Sequence, residues 1–295
     1  MCLPLKRKLQ NITSKAYSVA AIVVLLFVWQ ILSSAGIVPS FLLPSPLEVV
    51  QAFVKDFPLL MEHAKVTLTE GFLGLTLGVV IGFVAAVLMD HFQGFYKAFY
   101  PIMVITQTIP TIAIAPLLVL WMGYEMAPKV TLIVIVTFFP IAIGLLEGFQ
   151  SADKDTVNLL KAMGANRLQI FLHVKFPSSL GRFFASLRIS VSYCVVGAVI
   201  SEWLGGYNGL GVYMTRVRKS YAFDKMFAVI FLISAISLLL MWLVSILHEE
   251  PVCLGRNEKE NKNEKENSSV GACCGNSMFR DSLRRKEGKT RRKRA

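Results

Sequence analysis

Asn158-Leu-Leu-Lys-Ala-Met-Gly164-Ala165-Asn-Arg-Leu-Gln-Ile-Phe-Leu-His-Val174-Lys-Phe-Pro177 is a polar, cationic, helix-forming segment set between two strongly apolar ones. It belongs to a stretch from Glu147 to Arg182 that is too long for a connecting turn and too polar to cross a bilayer. Its composition predicts one or two short helices. Gly164 after Met163 suits a helix stop, where a left-handed residue is needed, and Pro177 suits a break before the next apolar run. Leu159, Leu160, Met163, Leu168, Ile170, Phe171 and Val174 are mixed with Lys161, Arg167, Gln169 and Lys175. A helix of this kind can push an apolar knob into a groove on a soluble partner while its basic rim meets acidic residues. It can also rest on a membrane surface.

Outward from this segment the chain is apolar. With 54% hydrophobic and only 17% charged residues and a mean hydropathy of +0.56, it reads as an integral membrane protein rather than a soluble domain. Six segments, 16–38, 66–89, 100–121, 130–146, 183–203 and 226–247, come close to the roughly 20 apolar residues a helix needs to span the hydrocarbon. The first follows a basic stretch, but its long apolar core and the lack of a small-x-small cleavage site favour an uncleaved span over a signal peptide. Six spans put both termini on one side. With that side cytoplasmic, ten Lys or Arg outside the tail lie inside and seven outside, in the direction of the positive-inside bias.

The net charge of +12 excludes little until it is located. Residues 248–295 hold 13 Lys or Arg against 8 Asp or Glu, and Lys6, Arg7, Lys8 and Lys15 precede the first apolar run. Charge beside membrane spans fits anionic headgroups better than nucleic acid. The tail repeats Asn257-Glu-Lys-Glu-Asn261 as Asn263-Glu-Lys-Glu-Asn267 and reads as disordered, either as a lipid-attracted extension or as translation of a shifted reading frame. The expected organisation is a cytoplasmic N-terminus over 1–15, a six-helix transmembrane domain over 16–247 with the polar loop at 147–182, and a disordered basic tail over 248–295.

The chemistry-bearing residues are sparse. Cys2, Cys194, Cys253, Cys273 and Cys274 form no CxxC pair and the four histidines are scattered, so neither a disulfide framework nor a metal site is predicted. Gly205-Gly206-Tyr-Asn-Gly209-Leu-Gly211 follows no strand and lacks GxxxxGK[ST], which makes it a turn or re-entrant element, not a phosphate cradle. Gly74, Gly78, Gly82 and Ala86 recur every four residues, a small-residue stripe for close helix packing. Gln107, Thr108, Pro110 and Thr111 place hydroxyls, an amide and a helix breaker at membrane depth, where they either line a pathway or mark a kink repaired by its own threonines. Glu202 and Arg188 are ionisable groups in the fifth span and should face protein, water or the interface. Glu202 joins the pathway candidates.

Between partner docking and membrane contact, resemblance decides. Gly164, Val174, Phe176 and Pro177 have the spacing of the EAA loop of ATP-binding-cassette importer permeases, whose pattern is Glu-Ala-Ala, three residues, Gly, nine residues, Ile, one residue, Leu-Pro. Asn158-Leu159-Leu160 stands where the family has Glu-Ala-Ala. Pro44-Ser-Pro46, Gln107-Thr-Ile-Pro110, Ala115-Pro116, Trp121-Met-Gly123 and Ser201-Glu202-Trp203 through Gly211 extend the resemblance to the nitrate, sulfonate and taurine branch.

The resemblance implies an all-α polytopic membrane protein with the type I importer permease fold, in a cell membrane with both termini cytoplasmic. It also implies a second permease copy, a dimer of ATPase subunits and an extracytoplasmic substrate-binding protein as partners, with surrounding lipid, no nucleic acid and no cofactor or catalysis in this chain. Asn158, Leu160, Ala162, Gly164, Ala165, Arg167, Val174 and Pro177 would form the coupling contact with the ATPase. The run 209–227 looks more like members that carry thiamine-precursor pyrimidines; aliphatic sulfonate, taurine or nitrate is the alternative. Two unrelated classes stand against this reading: a membrane-embedded enzyme using Glu202 or His91, and a self-contained channel or secondary transporter.

Overall fold

Ser45 and Pro46 begin the first helix after the apolar N-terminal one with a capping box. The Ser45 hydroxyl accepts from the Glu48 N–H at 3.3 Å while Glu48 accepts from the Ser45 N–H at 2.8 Å, and Pro46 occupies the first helical turn, where its missing N–H has no partner to lose. The computed structural model describes residues 3–35, 39 and 42–247. It gives α1 (Leu3–Ser34), α2 (Pro46–Lys55), α3 (Phe57–His91), α4 (Gln93–Thr108), α5 (Thr111–Met122), α6 (Met126–Gln150), α7 (Lys154–Ala162), α8 (Arg167–Ile170), a wide turn at Phe171–Lys175, α9 (Phe176–Leu204), α10 (Leu210–Lys219) and α11 (Phe223–Leu247). No strand occurs among the described residues, so the architecture is all-helical as expected. The described residues up to Val244 form one unit. The tail at 248–295 lies outside the described residues.

The span count differs from six straight helices. Four helices are long and apolar enough to cross a membrane: α3, α6, the continuous run Arg167–Leu204, and α11. The third expected span is broken into α4 and α5, which meet at 99°. Pro110 is the cause. It pushes Ile109 into extended backbone (φ −82°, ψ 122°) and supplies no N–H of its own. The first expected span is helical, but the apolar helix described there, Ala20–Ser34, is short for a crossing, and residues 36–38 lie outside the described ones.

Close packing is set by small residues. α6 carries the fully buried Leu132, Ile133, Ile141, Ala142 and Leu145 and lies between α3 and α9. A Cβ on Gly74 would come within 2.5 Å of Ile133, one on Gly78 would overlap the Thr137 hydroxyl, and one on Gly82 would lie 3.0 Å from Ile141. The four-residue stripe of α3 therefore seats the four-residue row Ile133, Thr137 and Ile141 of α6. On the other side of α6, Gly144 meets Ser186 and Gly148 meets Ser179 of α9 in the same way. In lipid, with no hydrophobic drive to bring helices together, such backbone approach is what holds them.

Candidate functional site

The polar-loop candidate at 147–182 is built from local signals. Asp153 caps α7 by accepting from the Asp155 and Thr156 N–H groups at 3.2 and 3.3 Å, and from the Thr156 hydroxyl at 2.6 Å. These bonds hold the exposed Asp153 carboxylate below its ordinary pKa, the Thr156 hydroxyl contributing most. At the other end of α7, Gly164 adopts φ +83°. The Ala165 N–H donates to the Leu160 carbonyl and the Gly164 N–H to the Lys161 carbonyl, both at 3.0 Å. This pair of reversed bonds closes the helix in a Schellman motif, the stop expected at Gly164. The Asn166 N–H then donates to Gln169 at 2.8 Å and starts α8.

Around this turn the apolar side chains stand outward. Leu159, Met163 and Leu168 are 62%, 74% and 68% exposed. Asn158, Ala162, Gly164, Arg167 and Pro177 are exposed as well, while Leu160, Ala165 and Val174 are half-buried. Glu147 and Arg182, the residues that bound the loop, pair at 2.7 Å. Pro177 does not break the chain before the next span. Arg167–Leu204 is one helical run, with the Phe176 N–H reaching back five residues to the Phe171 carbonyl, and this widened turn accommodates the donor missing at Pro177.

The opposite end of the bundle holds a buried polar network that the sequence reading missed. Glu202 is 2% exposed. One oxygen accepts from the Thr67 hydroxyl at 2.7 Å, the other from the Gly211 N–H at 2.6 Å. Thr67 accepts from the Leu210 N–H at 2.9 Å, and His63 Nδ1 from the Gly209 N–H at 3.1 Å. Three N–H groups at the start of α10 are thus capped by side chains of α3 and α9, with a carboxylate at the positive end of the helix dipole. Gly209 has φ +129°, and a Cβ there would overlap the Glu202 carboxylate. Beside it, Lys129 Nζ meets Glu70 at 2.6 Å, the side chains 6% and 1% exposed. Lys129 is thus a structural group that ties α6 to α3.

A second tie at this end of the bundle is partly buried. Asp56 accepts from the Tyr213 hydroxyl at 2.7 Å and pairs with Lys225 at 2.7 Å. Burial works to raise the Asp56 carboxyl, but hydrogen bonds from Lys225 and Tyr213 outweigh it and leave the group below its ordinary pKa. Burial, with help from Asp56, pushes the Tyr213 phenol upward.

The pathway candidates are not brought to one place. Gln107 lines a cavity of about 440 Å³ between α4, α6 and α9, together with Phe139, Glu147, Arg182, Ser186 and Tyr193. Thr108, Pro110 and Thr111 sit at the α4–α5 bend, where Thr108 donates back to the Ile105 carbonyl at 2.7 Å. Glu202 is elsewhere, buried in the network at the start of α10. A membrane-embedded enzyme would need several ionisable groups converging at one depth. Glu70, Lys129 and Glu202 do converge, around His63 and Thr67, but they cap a helix and pair with each other. His91 cannot join them, since it lies 24 residues beyond Thr67 on α3, about 36 Å along the axis.

The chain belongs to the family described as binding-protein-dependent transport system inner membrane component, which it matches over residues 78–250. It is 38% identical over 226 residues to a probable ABC transporter permease protein of Haemophilus influenzae, covering 76% of this chain and 92% of that one. It is 37% identical over 216 residues to the formylaminopyrimidine transport permease protein ThiX of Halalkalibacterium halodurans, covering 73% and 86%. The fold is similar to a bacterial ABC transporter involved in import of the acidic polysaccharide alginate, with a TM-score of 0.57 at 16% identity over 82% of this chain and 98% of that one. The chain is therefore an importer permease with the type I fold, a multi-pass membrane protein that works with a separate ATPase and a binding protein.

Proposed function

We propose that two copies of this chain form the pathway of an importer for a thiamine-precursor pyrimidine, each seating its α7–α8 turn in a groove on a cytoplasmic ATPase. The observation that carries the proposal is the exposed apolar trio Leu159, Met163 and Leu168 around a turn fixed by Gly164. Exposed apolar side chains on a rigid, self-capped turn are suited to docking. Asn158, Leu160, Ala162, Ala165, Arg167, Val174 and Pro177 complete or support that contact. The termini are cytoplasmic and the α10 end faces the binding protein. ATP hydrolysis resides in the partner, and closure of the ATPase dimer draws the two turns together and alternates access.

The substrate assignment is supported by the 37% identity to a permease named for formylaminopyrimidine transport. One feature favours an anion such as a sulfonate, taurine or nitrate: the external cations Arg216, Arg218 and Lys219 on α10. Arg216 is engaged by the Tyr207 carbonyl at 2.7 Å, and this end meets the binding protein before any substrate, so the cluster is better suited to a protein surface. The test is uptake into vesicles holding the permease, its ATPase and its binding protein. Uptake of a labelled aminopyrimidine should require ATP, and the purified permease alone should hydrolyse none. Uptake that persists without ATP or ATPase would identify a self-contained transporter and end this reading.

A further inference from the structure

We propose that the cavity between α4, α6 and α9 is an intramembrane binding site for a neutral, polar heteroaromatic ring, held by the Gln107 amide against the Tyr193 ring. The inference rests on reading this chain as half of a transport pathway.

Charge is the first argument. Among the residues lining this cavity the ionised groups are Glu147 and Arg182, and they neutralise each other at 2.7 Å. An anion entering would shed its hydration without meeting an unpaired cation, which is costly at membrane depth. A neutral ring pays no such penalty. Arg188 does not change the balance: six residues beyond Arg182 on α9, it lies about 120° round the helix and is not part of the lining.

The second argument is complementarity. The Gln107 side chain meets no hydrogen-bonding partner among the described residues, so its two donors and its carbonyl oxygen are available. A ring nitrogen beside an exocyclic amine presents the matching acceptor and donor, the arrangement by which an amide side chain reads an aminated base edge. Tyr193, 50% exposed, and Phe139 give aromatic walls against which such a ring can stack. The volume of about 440 Å³ lies within the usual range for small-molecule sites. The Glu147–Arg182 pair forms one end of the cavity; both side chains are about half exposed, so the pair is weakly held and can part to release the ring.

The test uses the assembled transporter in vesicles, with a labelled aminopyrimidine as probe, and the same probe on the permease–ATPase complex without binding protein. Wild type should bind the probe saturably in the second assay. Gln107→Ala and Tyr193→Ala should each weaken binding and raise the half-saturation of uptake about tenfold, the equivalent of one lost contact. Tyr193→Phe should stay within about twofold because the ring remains, and Arg188→Gln should behave as wild type. The inference fails if Gln107→Ala and Tyr193→Ala bind and transport as wild type, or if Arg188→Gln alone removes uptake. ATP-driven uptake of an alkanesulfonate in place of the aminopyrimidine would overturn the ligand class and leave the permease role standing. Loss of the ATP requirement would instead overturn the permease role.

Discussion

Two helix ends in this molecule solve the same problem in opposite ways. The C-terminus of α7 closes on itself: Gly164 takes φ +83°, and the Gly164 and Ala165 N–H groups return to carbonyls of their own helix. The N-terminus of α10 closes on other helices: the N–H groups of Gly209, Leu210 and Gly211 are taken by His63, Thr67 and Glu202. The first end is exposed and self-sufficient, so it keeps its shape without help from other helices, and a push on it passes into the bundle along the continuous run Arg167–Leu204. The second is buried and shared, so any shift of α10 must be felt by α3 and α9. On the proposed docking, the first end would take force from the ATPase and the second would face the binding protein, so the two designs suit different tasks.

The buried end is the easier to break. Lys129→Met should leave Glu70 as an uncompensated charge in the core and cost about 3–5 kcal/mol, read as a lowered midpoint in thermal unfolding of the detergent-purified protein. Adding Glu70→Leu should recover most of that loss. If the single variant is as stable as wild type, the pair does not hold α3 to α6.

The two glycines sharpen the contrast. Gly164→Ala meets no atom within 4 Å and should cost only the left-handed backbone penalty, about 1 kcal/mol. Gly209→Ala would put a side chain at φ +129°, ψ 160°, a region essentially confined to glycine, and would also drive a methyl into the Glu202 carboxylate, so it should cost about 1–3 kcal/mol more. Equal unfolding midpoints for the two variants would mean that the clamp on α10 is not tight.

The smallest effect is set by pH. Asp56 has its carboxyl below the ordinary 3.8 in the folded protein. A group depressed on folding stabilises above its unfolded pKa, and that contribution is lost as pH falls through the folded value. Unfolding midpoints should therefore drop below about pH 4, and Asp56→Asn should flatten that part of the profile. An unchanged profile would discount the tie to Lys225 and Tyr213.

The contrast also explains what could be read from the sequence. The Schellman stop at Gly164, the polar loop and the small-residue stripe on α3 are signalled by residues within a few positions of one another, and each is visible in the chain as written. The clamp joins Glu202 to Thr67 across 135 positions and His63 to Gly209 across 146. No local pattern announces such a pairing, so nothing near Glu70, His63, Thr67 or Lys129 in the chain marks them as partners, and Glu202 alone reads as a pathway residue. Pro177 misled for a related reason: its effect depends on whether the preceding turn can widen, and Phe171–Lys175 does. At Pro110 the turn before does not widen, and the helix breaks.

The docking of the α7–α8 turn on an ATPase is most directly tested by a single cysteine at position 165, in a chain whose native cysteines are replaced by serine, within the assembled transporter. Docking predicts a crosslink from that cysteine to the ATPase subunit, with a yield that changes when ATP closes the ATPase dimer. An assembled, transport-competent complex that gives no such crosslink would contradict it.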